Sequence, residues 1–130
     1  MITSIHTMIY SDDADATRIF LRDVLQWPYA DAGYSDGETG WLIFRCGPSE
    51  MGVHPTHSEW EGKVYTHEKR HEISFMCDDL EETMAELRGR GAEFEGEIQE
   101  EMYGKIAMLK VPGYGLMQLY QPLHPIAYNL

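Results

Sequence analysis

The sequence predicts an α+β fold in which two tandem βαβββ modules form a curved, pseudo-two-fold mixed sheet around a pocket. Each half of the chain contains a strand-like run, a helix start and a later strand-like run in the same order. These features stand at one constant offset of 66 residues: Ile5 and His71, Asp13 and Asp79, and Met51 and Met117. A constant offset indicates two equivalent modules, and paired modules usually bind a ligand where they face each other.

The first module is predicted to open with a strand over residues 5–10, because side chains of two kinds alternate there. Asp13, after Ser11 and Asp12, then caps a helix that runs to about Leu25. We expect its buried stripe to consist of Ala16, Ile19, Phe20 and Val24.

Residues 29–40 contain three glycines and predict irregular chain with a hairpin turn at Asp36-Gly37. An apolar run then predicts a buried strand at 41–44, and a turn at Gly47-Pro48-Ser49 leads into a further strand at 51–54. Residues 56–70 carry charges and histidines without periodicity, so we expect a linker between the modules there.

The second module is predicted to begin with a strand over residues 72–77, followed by a helix that Asp78 or Asp79 caps. The helix buries Leu80, Met84 and Leu87 and ends at Gly89 or Gly91. Three further strands are expected at 93–99, 105–111 and 116–120. The chain should thus form one domain over residues 1–130, with module one at about 4–55, the linker at about 56–70 and module two at about 71–122.

The composition excludes several classes of partner. The 130 residues carry 22 acidic and 10 basic side chains, a net charge of −12 that repels nucleic acids and anionic membranes. Cys46 and Cys77 lie in apolar runs, which favours buried, reduced thiols and therefore the cytoplasm. No secretory leader and no apolar run of about 18 residues is present in the sequence.

One face of the predicted sheet is a candidate binding surface. The apolar side of each strand must pack on the helices, so the other side is free to line a pocket. Alternation places on that side the candidate ligand-binding residues Tyr10, His54, Ser74, Met76, Gln118 and Tyr120, beside His6 and Glu72. Histidine, tyrosine and glutamine mixed with methionine are typical of a ligand site, whereas a solvated face favours Lys, Glu and Thr.

The chain also resembles the vicinal oxygen chelate superfamily, which contains glyoxalase I, bleomycin-resistance proteins and extradiol dioxygenases. The resemblance depends on segments that recur in order in both halves: His6-Thr7-Met8, Asp13, Cys77-Asp78-Asp79-Leu80 and Pro112-Gly113-Tyr114-Gly115-Leu116-Met117-Gln118-Leu119. It implies a homodimer. It also implies that metal ligands would come from positions His6, Gly52, Glu72 and Gln118.

Only part of that implied ligand set suits a divalent ion such as Zn, Ni, Mn or Fe(II). His6 and Glu72 are ordinary ligands, whereas Gln118 offers a weak amide oxygen and Gly52 offers no side chain. His54 shares the face and could replace Gly52, although two residues of strand displace it by about 6.6 Å. The alternative is that His6 and Glu72 form only a hydrogen-bonded pair.

Two functional hypotheses follow from this site. The first is a metal-dependent glyoxalase- or dioxygenase-like enzyme in which Glu72 moves the proton. The second is a metal-free protein that sequesters a small molecule without catalysis. Motifs of serine hydrolases, phosphate-binding loops and paired-cysteine metal sites are missing from the sequence.

Overall fold

A four-stranded mixed sheet, formed by the second half of the chain, organises the fold. The computed structural model describes residues 6–130. The helices are α1 (Ala14–Ile19), continued by a π-helical segment Phe20–Val24, and α2 (Leu80–Gly89). The strands are β1 (Tyr29–Asp31), β2 (Leu42–Phe44), β3 (His57–Trp60), β4 (Lys63–Thr66), β5 (Ser74–Met76), β6 (Phe94–Glu101), β7 (Gly104–Val111) and β8 (Gly115–Pro122).

The main sheet has the strand order β5-β8-β7-β6, with β5 parallel to β8 and the other pairs antiparallel. The Pro112–Tyr114 turn joins β7 to β8 with Val111 opposite Gly115. These strands and α2 confirm the α+β class and, within a few residues, the elements predicted for module two.

One face of this sheet packs on α2 and forms the core. Alternate residues of β7 and β8, among them Leu109 and Leu119, are at most 5% exposed. Leu80, Met84 and Leu87 recur on one face of α2 and are buried against them, as predicted. Asp79 caps the helix by accepting a hydrogen bond from the Glu82 amide.

Helix α1 of module one docks on module two. Asp13 caps it as predicted, accepting from the Ala16 amide. The buried Thr17 hydroxyl donates to the Pro112 carbonyl oxygen at 2.6 Å, and the Asp12 amide donates to the Gly113 carbonyl oxygen at 2.8 Å. Phe20 and Leu21 of the π-helical segment enter the same core. The start of α1 is therefore anchored to the β7–β8 turn.

An ionic network ties the β1–β2 hairpin to α1. The Asp15 carboxylate accepts hydrogen bonds from the Thr39 hydroxyl and from the amides of Glu38 and Thr39, at 2.6 to 2.9 Å. These hydrogen bonds lower the pKa of Asp15 to about 2, and the bond from the Thr39 hydroxyl is the largest cause. Arg18 pairs with Asp36 at 2.6 Å and lies over the Trp41 ring.

Module one departs from prediction in its strands. Residues 6–10, the described part of the predicted first strand, and residues 51–54 are irregular and mostly exposed. Only β2 of the predicted strands forms, paired with β1 in a two-stranded sheet. The segment predicted as irregular linker contains the β3–β4 hairpin, whose turn at Glu61-Gly62 has two positive φ angles.

Three predictions of burial were also wrong. The strand expected to be buried over residues 41–44 leaves Trp41 39% and Ile43 44% exposed. Ile19, expected in the buried stripe of α1, is 37% exposed, because Thr17 and Phe20 face the core instead. Cys46 is exposed, since the strand before it ends at Phe44; both cysteines are free thiols. Among residues 6–130, no helix has the length and apolar character needed to cross a membrane.

Candidate functional site

The sheet face opposite α2 brings four of the predicted ligand-binding residues together. Strand register places Ser74 beside Gln118, and Met76 beside Tyr120. On the other side of β8, Gln118 neighbours Met108 and Tyr120 neighbours Ile106. Two cross-strand rows result: Ser74–Gln118–Met108 and Met76–Tyr120–Ile106. We refer to these six residues as the open face.

A short hydrogen bond defines the first row. The Ser74 hydroxyl donates to the Gln118 side-chain oxygen at 2.6 Å, and both residues are half-buried. Parallel pairing of β5 with β8 places the two side chains side by side, which holds this bond in place.

Tyr120 defines the second row, and its position depends on Gly104. The phenol donates to the Tyr103 carbonyl oxygen at 3.1 Å, and the two tyrosine rings lie 6.1 Å apart. A Cβ atom at Gly104 would overlap the Tyr120 ring, so glycine leaves room for it. Burial is the largest cause that raises the pKa of the Tyr120 phenol, and the nearby Tyr103 and Glu50 side chains raise it further. Tyr120 is therefore protonated at neutral pH; its one O–H donates to Tyr103, and its oxygen remains able to accept.

The C-terminal segment reaches the same end of the sheet. The His124 ring lies 5.8 Å from the Tyr120 ring. Glu50 holds the segment, because its carboxylate accepts from the Ala127 amide at 2.7 Å and lies 3.8 Å from the His124 ring nitrogen. Glu50 thus connects module one to the end of the chain beside Tyr120.

The remaining predicted site residues lie on exposed chain. His6 is exposed and Tyr10 is 86% exposed. His54 packs its ring against His67, with the ring centres 4.9 Å apart. Glu72 is exposed and pairs with Arg70 at 3.0 Å. The pKa of the Tyr103 phenol is raised by burial first, then by the charge of Glu101 and then by that of Glu72. Their roles as ligands or proton carriers stay predictions.

The donor groups of the described chain were tested against the implied metal ion. Within residues 6–130, no three His, Cys, Asp or Glu side chains are grouped as a metal ion requires. In addition, Glu72 pairs with Arg70, and the Gln118 oxygen accepts from Ser74. These residues do not fit a metal as they stand, so we derive no step through one.

Sequence analysis missed several residues around the open face. Ile106 and Met108 could have been found, because the β7–β8 turn sets the register that places them opposite Tyr120 and Gln118. Glu50 and His124 had no such signal, since they lie in irregular chain and meet across 74 residues of sequence.

A separate cleft lies on another part of the surface. It has a volume of about 600 Å³ and is formed by Phe20, by the chain after α2 and by the β7–β8 turn. Its lining combines Asp12, Glu93 and Lys110 with turn backbone. It contains none of the predicted site residues, and we treat it as the competing location for a ligand.

Comparison with known proteins identifies related folds. A family model described as Glyoxalase/Bleomycin resistance protein/Dioxygenase superfamily matches residues 3–114. No curated protein matches the chain.

Three solved structures illustrate the likeness. A superfamily member from Sphaerobacter thermophilus is 14% identical over 92% of this chain and 98% of its own, with a TM-score of 0.59. A lactoylglutathione lyase from Agrobacterium tumefaciens is 16% identical over 92% of each chain, with a TM-score of 0.57. An antibiotic-binding protein from a Streptomyces species is 18% identical over 94% of this chain and 98% of its own, also at 0.57. At these identities the likeness shows a shared fold.

Proposed function

The chain belongs to the Glyoxalase/Bleomycin resistance protein/Dioxygenase superfamily, and from this premise we propose that it binds a small organic molecule on the open face. The observation that carries the proposal is the hydrogen-bonded Ser74–Gln118 pair set among Met76, Met108 and Tyr120. Half-buried polar groups surrounded by soft apolar side chains are typical of sites that orient a small molecule.

The chemistry of this face supports binding without a metal. Gln118 and Tyr120 supply hydrogen bonds, while the two methionines supply adaptable apolar contact. None of these contacts requires an ion. The metal-free binding protein is therefore the better supported of the two hypotheses, and catalysis through Glu72 is the alternative that the experiment below distinguishes.

We also propose that two copies of the chain pair in solution. Module one and the linker leave large apolar side chains on the surface, among them Ile43 at 44%, Val53 at 94% and Trp60 at 58% exposure. Surfaces of this kind usually mark an interaction site. A second copy would cover these side chains. Light scattering after size exclusion would then report a mass twice the 15.0 kDa of the chain.

We further propose a cytoplasmic location, which the free thiols of both cysteines support.

A thermal-shift screen tests the proposed function. Aromatic carbonyls, diketones, catechols and cationic antibiotics are added to the protein with and without EDTA. A ligand at one hundred times its dissociation constant should raise the free energy of unfolding by about 2.7 kcal/mol. We expect at least one class to stabilise the protein equally in both conditions.

Two matched variants locate the binding. Tyr120→Ala removes a ring from the open face, and Tyr34→Ala removes one that is 72% exposed in the β1–β2 hairpin. Only Tyr120→Ala should abolish the ligand-induced shift. Stabilisation that requires added Zn, Ni, Mn or Fe(II) would contradict metal-free binding and favour the metal-dependent enzyme.

A further inference from the structure

We propose that Ser74 sets the orientation of the Gln118 amide, so that the open face selects neutral, apolar molecules that carry a carbonyl acceptor. The inference rests on the proposed function and adds the chemical class of the ligand. Its basis is the 2.6 Å bond in which the Ser74 hydroxyl donates to the Gln118 oxygen.

The direction of this bond decides what the amide offers a ligand. A glutamine side chain has one accepting end, the oxygen, and one donating end, the NH₂ group. Ser74 occupies one lone pair of the oxygen from the β5 side and holds that end of the amide toward β5, which leaves the NH₂ end, unpaired among the described residues, as the donor available to a ligand. Within residues 6–130, the bond to Ser74 is the hydrogen bond that the Gln118 side chain makes, and no half-buried side-chain nitrogen is left both inaccessible and unpaired.

A donating amide at position 118 suits a different kind of ligand from a metal ion. A metal ion needs a lone pair, which an NH₂ group does not offer, whereas a ligand carbonyl needs a donor. The structure thus favours an organic acceptor over an ion at this position. The buried Ile106 and the neighbouring Met76 and Met108 add apolar contacts suited to an aromatic ring.

The charges around the open face favour a neutral acceptor over a carboxylate. Glu95 lies opposite Met108 on β6, and Glu50 and Glu72 lie near enough to raise the pKa values of Tyr120 and Tyr103. Three carboxylates repel an anionic ligand, and the net charge of −12 acts in the same direction. A ketone, quinone or amide carbonyl meets the donor without that repulsion.

Three tricyclic probes of one shape test this inference by equilibrium dialysis. Fluorenone carries an acceptor at its central position, carbazole carries an N–H donor there, and fluorene carries neither. We expect the wild-type protein to bind fluorenone about 2 to 12 times more tightly than fluorene, the effect of one hydrogen bond, and carbazole no better than fluorene. Fluorenone-4-carboxylate should bind more weakly than fluorenone.

Variants separate the positioning role of Ser74 from the contact made by Gln118. Gln118→Met should bind fluorene as the wild type does and show no preference for fluorenone. Ser74→Ala should lose most of that preference and gain affinity for carbazole, because its amide can turn. Ser74→Thr, which keeps the hydroxyl, should restore the wild-type order. In ¹⁵N NMR spectra, fluorenone should shift the side-chain NH₂ signals of Gln118.

Different results would contradict the amide orientation and the proposed binding site. A wild-type preference for carbazole, or equal binding of fluorenone and fluorene, overturns the orientation while leaving the binding site intact. Failure of all three probes to bind overturns the proposed function and this inference with it.

Discussion

The two predicted modules contain similar sequence segments but form regular sheet structure to different degrees within one chain. In module two, three strands of eight residues pair with one another, with one irregularity in β6 between Glu95 and Gln99, and the sheet buries one face on α2. In module one and the linker, strands of three or four residues pair only in twos, among residues 6–130.

This difference explains where site residues are brought together. The open face is formed by β5, β7 and β8 of module two, where register fixes every neighbour. His6, Tyr10 and His54 of module one lie on exposed, irregular chain. Pairing of strands, rather than duplication of sequence, therefore determines which predicted side chains meet.

The largest expected effect comes from removing core volume in module two. Leu109→Ala deletes a side chain that is 0% exposed, and it should lower the free energy of unfolding by about 2 to 5 kcal/mol. Val64→Ala in β4, at 57% exposure, should cost less than about 0.5 kcal/mol. Urea denaturation measures both. A comparable cost for Val64→Ala would contradict the difference in burial between module two and the β3–β4 hairpin. It would indicate that a second copy covers this hairpin.

A glycine substitution tests the contact between the modules. Gly113 and Gly62 have φ angles of +81° and +78°, so alanine strains both by about 1 to 2 kcal/mol. Only at Gly113 would the new Cβ meet other atoms, at 2.5 Å from the Asp13 carbonyl oxygen and from the Ser11 hydroxyl. Gly113→Ala should therefore cost about 1 to 3 kcal/mol more than Gly62→Ala in the same denaturation assay. Equal costs would show that α1 moves away from the β7–β8 turn easily.

The smallest effect concerns the attachment of the β1–β2 hairpin to α1. The pKa of Asp15 is lowered from 3.8 to about 2 in the folded protein. A lowered carboxyl pKa contributes stability above pH 3.8 that is lost as the pH falls through 2. In NMR spectra, the Glu38 and Thr39 amides, which donate to Asp15, should titrate with a midpoint near 2. Asp15→Asn should remove that titration. A midpoint near 3.8 in the wild type would show that the hydrogen bonds between Asp15 and this hairpin contribute little to its attachment.

The sequence predicted module two well because its signals are local. Spacing of Leu80, Met84 and Leu87 indicated α2, and the Pro112–Tyr114 turn indicated the β7–β8 hairpin. It predicted module one less well. Short runs such as residues 5–10 and 51–54 alternate correctly, yet a strand also needs a neighbour to pair with, and alternation does not supply one.

For the site, alternation predicted which residues share a face but not how their atoms are oriented. Ser74, Met76, Gln118 and Tyr120 were placed together correctly. The direction of the Ser74–Gln118 bond, and the meeting of Glu50 with His124, depend on tertiary contacts that no periodicity encodes. The role of weak metal ligand that the family resemblance implies for Gln118 stays a prediction, because periodicity does not indicate which end of an amide faces a neighbour.

Chemical-shift mapping with fluorenone tests the location of the site most directly. Backbone amides of ¹⁵N-labelled protein are followed as fluorenone is added. We expect the largest shifts in Ser74–Met76, in residues 104–108 and in residues 118–120, which contain the six residues of the open face. Shifts centred instead on residues 91–93 and 110–116, which line the 600 Å³ cleft, would contradict binding on the open face and place the ligand in that cleft.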